Sequence, residues 1–145
     1  MTTDSEFTFE WLEEQKYPLV NKFYSEHRLR GKARGGDQCA IVRLNGEIIG
    51  SALLRPVDDC VLLTAMAIAP VYRHMGIGTR LLGFMQERFN KNIFSFPYKH
   101  LESFYRANGF ELCPSDCTPE ILLSRYEAYM AQGRSILLMN YQRIP

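Results

Sequence analysis

The 145-residue sequence predicts an α/β fold in which a mixed central sheet of about six to seven strands carries helices on both faces. Three observations predict this class. Asn45-Gly46 joins two short apolar runs, which is the strongest short signal for a β-hairpin. The run from Cys60 to Ala69 has hardly a polar side chain, as expected of a central strand covered on two sides. Helical and strand-like segments then alternate along the rest of the chain.

The first half of the chain is predicted to hold two helices and three strands. A short helix is expected near Phe9 to Lys16 and is interrupted by Pro18, which suits the first position of a second helix. The apolar face of this second helix follows helical spacing and consists of Val20, Phe23, Tyr24 and His27. The region ends at Gly31, Gly35 and Gly36. The predicted strands are Gln38 to Leu44, Glu47 to Leu54 and Cys60 to Ala69.

The second half is predicted to alternate helices with strands. One helix runs to about Asn90 with an apolar stripe made of Ile77, Leu81, Leu82, Met85 and Phe89. Strands are expected at Asn92 to Phe96, Phe110 to Cys113 and Ile136 to Gln142. Between them lie a helix from His100 to Asn108, ended by a left-handed Gly109, and a helix from Pro119 to about Gln132. Thr118 is predicted to cap the second of these helices.

Composition limits the classes of function. A length of 145 residues predicts one domain, residues 1–145, and a net charge of +1 gives no general attraction to nucleic acid or an anionic membrane. The acidic N-terminus has no apolar signal segment, and no apolar run approaches the ~20 residues that span a bilayer, so we expect a cytoplasmic protein. Four reduced thiols without zinc-like spacing argue against a metal site: Cys39, Cys60, Cys113 and Cys117.

The strongest functional signal is Arg73-His74-Met75-Gly76-Ile77-Gly78, a glycine turn between the central strand and a helix. The first turn of a helix leaves N–H groups without intrahelical partners and carries positive dipole charge, so it attracts anions. Glycines let a phosphate approach the backbone closely. The segment lacks the Gly-Lys-Ser/Thr of a Walker A loop, and Leu81 stands where a Rossmann fingerprint needs glycine. A tight connection without a ligand is the structural alternative.

The same segment resembles the pyrophosphate loop of the GNAT superfamily, the acyl-CoA-dependent N-acetyltransferases, whose pattern is R/Q-x-x-G-x-G/A. The preceding Ala67 to Tyr72 is similar to the family's lead-in, and Phe104 to Phe110 resembles its F/L-Y-x-x-x-G-F segment. The resemblance covers about residues 38 to 112. It implies a GNAT-like sheet that splays after the central strand, acetyl-CoA as co-substrate, an amine as acceptor, and no metal.

The resemblance also implies residue roles. Backbone N–H groups from Met75 to Thr79 would hold the coenzyme A pyrophosphate, with Arg73 along the phosphates and the Thr79 hydroxyl as an extra donor. Tyr105 takes the place of the acid that protonates the leaving thiolate, although a core tyrosine is the alternative. Tyr98 replaces the family's usual coenzyme-contacting asparagine. The implied coenzyme-binding residues are Met66, Ala67, Ile68, Arg73, His74, Met75, Gly76, Ile77, Gly78 and Thr79.

The acceptor side stays open. Candidates for the base are Glu26, His27, Asp58 and Asp59, with a water-mediated route as an equal alternative. The basic segment from His27 to Arg34 is either a solvated loop or the rim of an acceptor site. It has no aromatic residue for stacking, which argues against nucleic acid as a partner. The helix from 118 to 132 packs the core, covers an acceptor pocket or forms a homodimer contact.

Three functions are therefore compared. The first is an acetyltransferase that moves an acetyl group from acetyl-CoA to an amine by direct attack. The second is a non-catalytic acyl-CoA-binding regulator that uses the same cleft. The third is an acetyltransferase that modifies aminoacyl-tRNA or protein. Acceptor pockets depend on loop shape rather than on motifs, so the sequence does not identify the acceptor.

Overall fold

A computed structural model describes residues 6–89 and 92–141. The predicted mixed α/β fold is confirmed, since seven strands form one sheet in the order β1-β2-β3-β4-β5-β7-β6. The strands are β1 (Phe7–Leu12), β2 (Gln38–Leu44), β3 (Glu47–Val57), β4 (Cys60–Ile68), β5 (Ile93–Ser95), β6 (Phe110–Leu112) and β7 (Met139–Tyr141). The helices are α1 (Tyr17–Glu26), α2 (Ile77–Arg88), α3 (Glu102–Ala107) and α4 (Glu120–Ala131).

The chain divides into two compact units. The first holds the residues up to Arg55 together with Leu63–Arg88, and the second holds Pro56–Leu62 together with the residues from Phe89 onward. Strand β4 therefore begins in the second unit and ends in the first. Within the described ranges, no helix has the length and apolar character needed to cross a membrane.

Two helices cover opposite faces of β1 and β2 in the first unit. These strands pair antiparallel, with Trp11 opposite Ala40 and Leu12 opposite Cys39. Because successive side chains on a strand alternate between faces, the two pairs lie on different faces. Phe84 of α2 stacks on Trp11 with ring centroids 5.4 Å apart, whereas Leu12 and Cys39 share a core cluster with the apolar residues of α1.

The second unit has the same arrangement around the antiparallel strands β5, β7 and β6. Phe94 lies opposite Asn140, and the neighbouring Ser95 therefore belongs to the other face. Leu122 of α4 packs in one cluster with Phe94. Tyr105 of α3 forms a hydrogen bond with Ser95. The prediction of helices on both faces thus holds within each unit.

The hairpin between β2 and β3 is confirmed. Asn45 and Gly46 have φ values of 52° and 81°, and two positive φ angles are what a two-residue type I′ turn requires. Strand β2 has the predicted bounds, and β3 continues past the predicted Leu54 to Val57. A register irregularity between Val42 and Arg43 interrupts the ladder. The turn thus joins β2 and β3 as antiparallel neighbours.

The prediction of a helix near Phe9 to Lys16 is wrong. These residues form most of β1 and a short 3-10 turn at Glu14–Lys16. The apolar residues alternate with polar ones from Phe7 to Trp11, which is the period of a strand. Pairing with β2 and packing against Phe84 decide the conformation, because the alternating rings then cover one face of the sheet.

Two details of the predicted helices are also corrected. His27 is exposed and follows the end of α1, so it does not belong to the buried face that Val20, Phe23 and Tyr24 form. Thr118 does not cap α4, since its hydroxyl donates to the Pro114 carbonyl oxygen at 2.9 Å. Pro119 occupies the N-cap instead, with no side-chain hydrogen bond to the helix.

Other boundaries shift by a few residues. The predicted helix from His100 to Asn108 is a 3-10 turn followed by the shorter α3, and Gly109 has the predicted left-handed conformation with φ of 90°. Strand β7 begins only at Met139, while Ile136 forms an isolated bridge with Tyr98. The predicted ends at Asn90 and Gln142 lie outside the described residues.

We expect Leu82→Ala to lower the free energy of unfolding by about 2–5 kcal/mol, because Leu82 of α2 is 0% exposed and its removal leaves a cavity. Leu19→Ala on α1 is the matched control, since Leu19 is 51% exposed and should change the value by less than about 0.5 kcal/mol. Urea unfolding measures both. Equal losses in the two variants would contradict this placement of the core.

Candidate functional site

The second half of β4 differs from the fully covered strand that was predicted. Val61, Leu62 and Leu63 are buried, whereas the residues from Thr64 to Ile68 are only half-buried. Ala65 in this stretch has a left-handed φ of 55°, which costs a non-glycine residue about 1–2 kcal/mol. Such conformations persist only where the surroundings hold them, and they concentrate at functional sites.

Tyr24 of α1 holds this strained position. Its hydroxyl donates to the Ala65 carbonyl oxygen at 2.6 Å, and the side chain is almost completely buried. Burial raises the pKa of the Tyr24 phenol far above its usual value, so the phenol keeps its proton at physiological pH. A Cβ at Gly31 would lie 2.7 Å from the Tyr24 ring and 2.8 Å from the Ala65 Cβ. The three residues therefore pack too closely for any side chain at position 31.

The loop between β4 and α2 has the geometry expected of an anion-binding turn. His74 and Gly76 have φ values of 65° and 77°, so the chain turns sharply just before Ile77 opens α2. A Cβ built at Gly76 would meet nothing within 4 Å, so the turn is open to an approaching group. The first helical hydrogen bond runs from Arg80 N–H to the Gly76 carbonyl oxygen, at 3.2 Å.

Arg73 ties this loop to the end of β4. Its Nε donates to the Ile68 carbonyl oxygen at 2.9 Å, while the side chain is exposed. A guanidinium has five N–H donors, so this bond leaves most of its hydrogen-bonding capacity for other acceptors. His74, Met75 and Thr79 are exposed beside it. The expected contacts of these residues with phosphates stay a prediction.

Tyr105 belongs to α3 in the second unit. It is 6% exposed and makes edge-on ring contacts with Phe104 and Phe110 at 5.4 and 5.3 Å. Burial raises the pKa of its phenol to about 12, and a hydrogen bond with Ser95 lowers that pKa by less. Tyr98, at the position where the resemblance implied an asparagine, is 44% exposed, and its ring stacks on that of His100 with the centroids 5.9 Å apart.

A pocket of about 320 Å³ lies beside Ala65 in the first unit. Its lining residues are Arg30, Gly31, Lys32, Arg34, Leu53, Arg55, Thr64 and Ala65. Half of them are cationic, and these lining residues include no carboxylate or histidine. The sequence indicated the basic loop but not Arg55, because no local motif connects a residue of β3 with that loop. Glu26 and His27, proposed as bases, are exposed and do not line this pocket.

The backbone of the basic loop is fixed rather than loosely solvated. The Asn21 side chain accepts from Ala33 N–H at 2.7 Å and donates to the Ala33 carbonyl oxygen at 3.3 Å, and Ala33 is 5% exposed. The Asp37 carboxylate accepts from Arg34 N–H at 2.9 Å and from two nitrogens of Arg55 at 2.9 and 3.0 Å. The Asp37 side chain is 3% exposed. These contacts hold the loop against α1 and β3.

The remaining candidates add no further site. All four cysteines are free, and burial raises the pKa of the Cys39 thiol to about 11, which disfavours the reactive thiolate. Within residues 6–89 and 92–141, no group of three or more His, Cys, Asp or Glu residues is placed to hold a metal ion. Asp58 and Asp59, proposed as bases, are exposed in the turn between β3 and β4.

Comparison with known proteins relates the chain to acetyltransferases. The model of the acetyltransferase (GNAT) domain family matches residues 35–112. N-acetylglutamate synthase from Neisseria gonorrhoeae, complexed with coenzyme A and N-acetyl-glutamate, is 17% identical with a TM-score of 0.71. The match covers 99% of this chain and 36% of that enzyme, so the chain spans about a third of its length.

Two further solved structures match over nearly their whole length. Escherichia coli ElaA is 16% identical with a TM-score of 0.63, over 94% of this chain and 99% of its own. A GNAT family acetyltransferase from Elizabethkingia anophelis with acetyl-CoA bound is 16% identical with a TM-score of 0.62, over 97% of this chain and 100% of its own. At such identities the likeness is one of fold. The curated protein sequences give no significant match.

We expect stability to fall between about pH 10 and pH 12 partly because of Tyr105. Burial raises the pKa of this phenol to about 12, above the value of about 10 for an exposed tyrosine, so its contribution to stability is complete below pH 10 and is lost as the pH rises through 12. Tyr105→Phe should therefore lose less stability over this window, by on the order of 2 kcal/mol. Urea unfolding in steps of ~1 pH unit from about pH 9 to pH 12 measures the difference. Parallel curves for the two proteins would contradict the burial of this phenol.

Proposed function

The chain belongs to the GNAT acetyltransferase family, and we propose on this premise that it transfers an acetyl group from acetyl-CoA to the nitrogen of an amine. We place the reaction in the cytoplasm, in a single domain of residues 1–145 that uses no metal. The observation that carries the proposal is the open glycine turn at Gly76, which precedes the first turn of α2 and follows the half-buried end of β4.

The donor half of the proposal rests on the groups around this turn. N–H groups in the first turn of α2 attract the pyrophosphate of coenzyme A, and the exposed guanidinium of Arg73 adds positive charge beside them. The half-buried backbone of Met66, Ala67 and Ile68 is proposed to pair with the pantetheine arm. Coenzyme A is bound in the Neisseria gonorrhoeae structure, and acetyl-CoA in the Elizabethkingia anophelis structure, which supports the same ligand here.

The proposed reaction is a direct acyl transfer. A neutral amine nitrogen attacks the thioester carbonyl carbon, the C–S bond breaks, and the coenzyme leaves as a thiolate that takes up a proton. The amine loses a proton to water or to a side chain. We propose that the Tyr105 phenol donates a proton or a hydrogen bond to the thiolate. Its raised pKa supports this role in one respect, since the phenol stays protonated throughout the neutral range.

A non-catalytic acyl-CoA-binding regulator is the second candidate, and the surroundings of Tyr105 favour it. A phenol with a pKa of about 12 is a weaker acid than a thiol, whose ordinary pKa is about 8.5. Such a phenol can hydrogen-bond to the thiolate without giving up its proton. A thiol-release assay with acetyl-CoA over a panel of amines separates the two candidates. Release that depends on an amine supports the transferase, and coenzyme binding without release supports the regulator.

We expect Gly76→Ala to weaken coenzyme A binding by about tenfold. An alanine at φ of 77° is strained by roughly 1–2 kcal/mol, so the loop either changes shape or loses affinity. Gly83→Ala is the matched control, because Gly83 lies within α2 and a Cβ there meets nothing within 4 Å. Calorimetric titration with coenzyme A measures both. Unchanged affinity in Gly76→Ala would remove the turn from the binding site.

We expect Tyr105→Phe to keep coenzyme A affinity and to lose turnover by roughly 10²–10⁴-fold, the range typical of general acid catalysis. Tyr126→Phe is the control, since it removes a partly buried phenol from α4 of the same unit. Steady-state thiol release and coenzyme titration give the two readouts. Wild-type turnover in Tyr105→Phe would assign this tyrosine to the core alone.

A further inference from the structure

We propose that the pocket beside Ala65 binds the acceptor, and that it selects small amines carrying carboxylate groups, best of all two. This inference rests on the proposed acetyl transfer, because it identifies the pocket's ligand as the second substrate. It depends on four features of the first unit: the pocket's charge, the ordered backbone of its loop, its position along β4 and its size.

The charge of the pocket favours an anion. Arg30, Lys32 and Arg34 are exposed, and the described part of the chain offers their side chains no carboxylate partner. Arg55 is paired with Asp37, which therefore neutralises one cation of the four. Several like charges around 320 Å³ repel one another, and a ligand with more than one carboxylate relieves that repulsion. The planar guanidinium groups match the geometry of carboxylates.

Hydrogen bonds also order the backbone of the basic loop before any ligand arrives. Asn21 clamps the backbone of Ala33 with two hydrogen bonds, and the Asp37 carboxylate holds Arg34 N–H and the Arg55 guanidinium together. A loop that is already ordered loses little conformational entropy on binding, so more of the interaction energy appears as affinity.

The position of the pocket separates it from the phosphate loop. Thr64 and Ala65 line the pocket and directly precede Met66, the first residue of the segment proposed to pair with pantetheine. The glycine turn follows the other end of that segment, after Ile68. Four residues of strand from Ala65 to Ala69 span roughly 13 Å. The cations of the pocket therefore lie at the opposite end of the proposed pantetheine stretch from the turn. An amine held at Thr64 and Ala65 is then placed for the acetyl end of the donor.

The size and lining favour a small molecule over nucleic acid. A volume of about 320 Å³ is near the lower end of ligand pockets, which range over roughly 300–1,000 Å³. None of the lining residues is aromatic, so the pocket offers no stacking surface for a base. An amino acid with an acidic side chain fits both the cationic lining and the small volume of the pocket. The acidic N-terminal residue of a peptide has the same chemistry.

Direct binding tests the pocket independently of turnover. Glutarate, a dicarboxylate without an amine, is titrated into the full chain with coenzyme A present, by calorimetry at low and high salt. We expect binding that weakens with salt, and a loss of roughly tenfold or more in the triple variant Arg30→Gln, Lys32→Gln, Arg34→Gln. Lys22→Gln is the control, because Lys22 is exposed on α1 and does not line the pocket. Absent binding, or equal binding to the triple variant, overturns the proposal.

Kinetics then tests the acceptor role. Glutamate is compared with glutamine and with glutamate diamide, in which amides replace carboxylates at nearly constant shape, and with a peptide that begins with glutamate. We expect the ratio of kcat/KM for glutamate over the diamide to exceed about tenfold, mainly through KM, and to fall in the triple variant but not in Lys22→Gln. Activity on the peptide would identify the acceptor as the acidic N-terminal residue of a protein rather than a free amino acid.

The failures are distinguishable. If coenzyme A binds but no amine, charged or neutral, causes thiol release, the proposed acetyl transfer is wrong. The glutarate titration still shows whether the pocket binds a dicarboxylate. If amines are acetylated without preference for carboxylates, the transfer stands and the acceptor class is wrong. If the triple variant loses affinity for coenzyme A instead, the three cations contact the coenzyme and the acceptor proposal is wrong. A salt-sensitive shift with tRNA in place of glutarate binding would assign the pocket to nucleic acid.

Discussion

The hydrogen bond from the Tyr24 hydroxyl to the Ala65 carbonyl oxygen is the contact on which the candidate site depends. It is 2.6 Å long, and the Tyr24 phenol that donates it is almost fully buried. Gly31 fits against the same ring and against the Ala65 Cβ, where no larger residue has room. Helix α1, the basic loop and β4 therefore meet at one point, and the strained conformation of Ala65 is maintained there.

The Asp37 carboxylate makes a second set of contacts in the same unit, and these are electrostatic. The residue is buried, and its two oxygens accept from the backbone of Arg34 and from the guanidinium of Arg55. A buried charge needs such partners, because without them its desolvation would destabilise the fold. The Tyr17 hydroxyl donates to the Asp37 carbonyl oxygen at 2.9 Å and anchors the same residue to α1. Asp37 thus fixes the backbone of Arg34 and the guanidinium of Arg55, and it neutralises only part of the charge around the pocket.

Strand β4 organises the two proposed substrate positions. Its buried first half packs in the core, while its half-buried second half runs from the cationic pocket at Ala65 to the Ile68 carbonyl oxygen that Arg73 binds. The charge at its two ends differs in kind. The turn offers backbone N–H groups and a helix dipole, which suit a diphosphate, whereas the pocket offers cationic side chains on a hydrogen-bonded loop, which suit carboxylates. In this proposal the two substrates bind at opposite ends of one stretch of β4, acetyl-CoA through backbone N–H groups and the amine through cationic side chains.

Features with local signals could be predicted from the sequence. Asn45-Gly46 specifies the hairpin, the apolar stripe specifies α2, and the spacing of Gly76 predicts the turn, because each depends on neighbours a few residues away. Other features depend on contacts between residues that lie far apart in the chain. Phe7–Leu12 became a strand through pairing with β2, and the kink at Ala65 depends on Tyr24, 41 residues earlier. The pocket likewise needs Asp37 and Arg55, 18 residues apart. No local pattern encodes such contacts, since only the folded chain brings those side chains together.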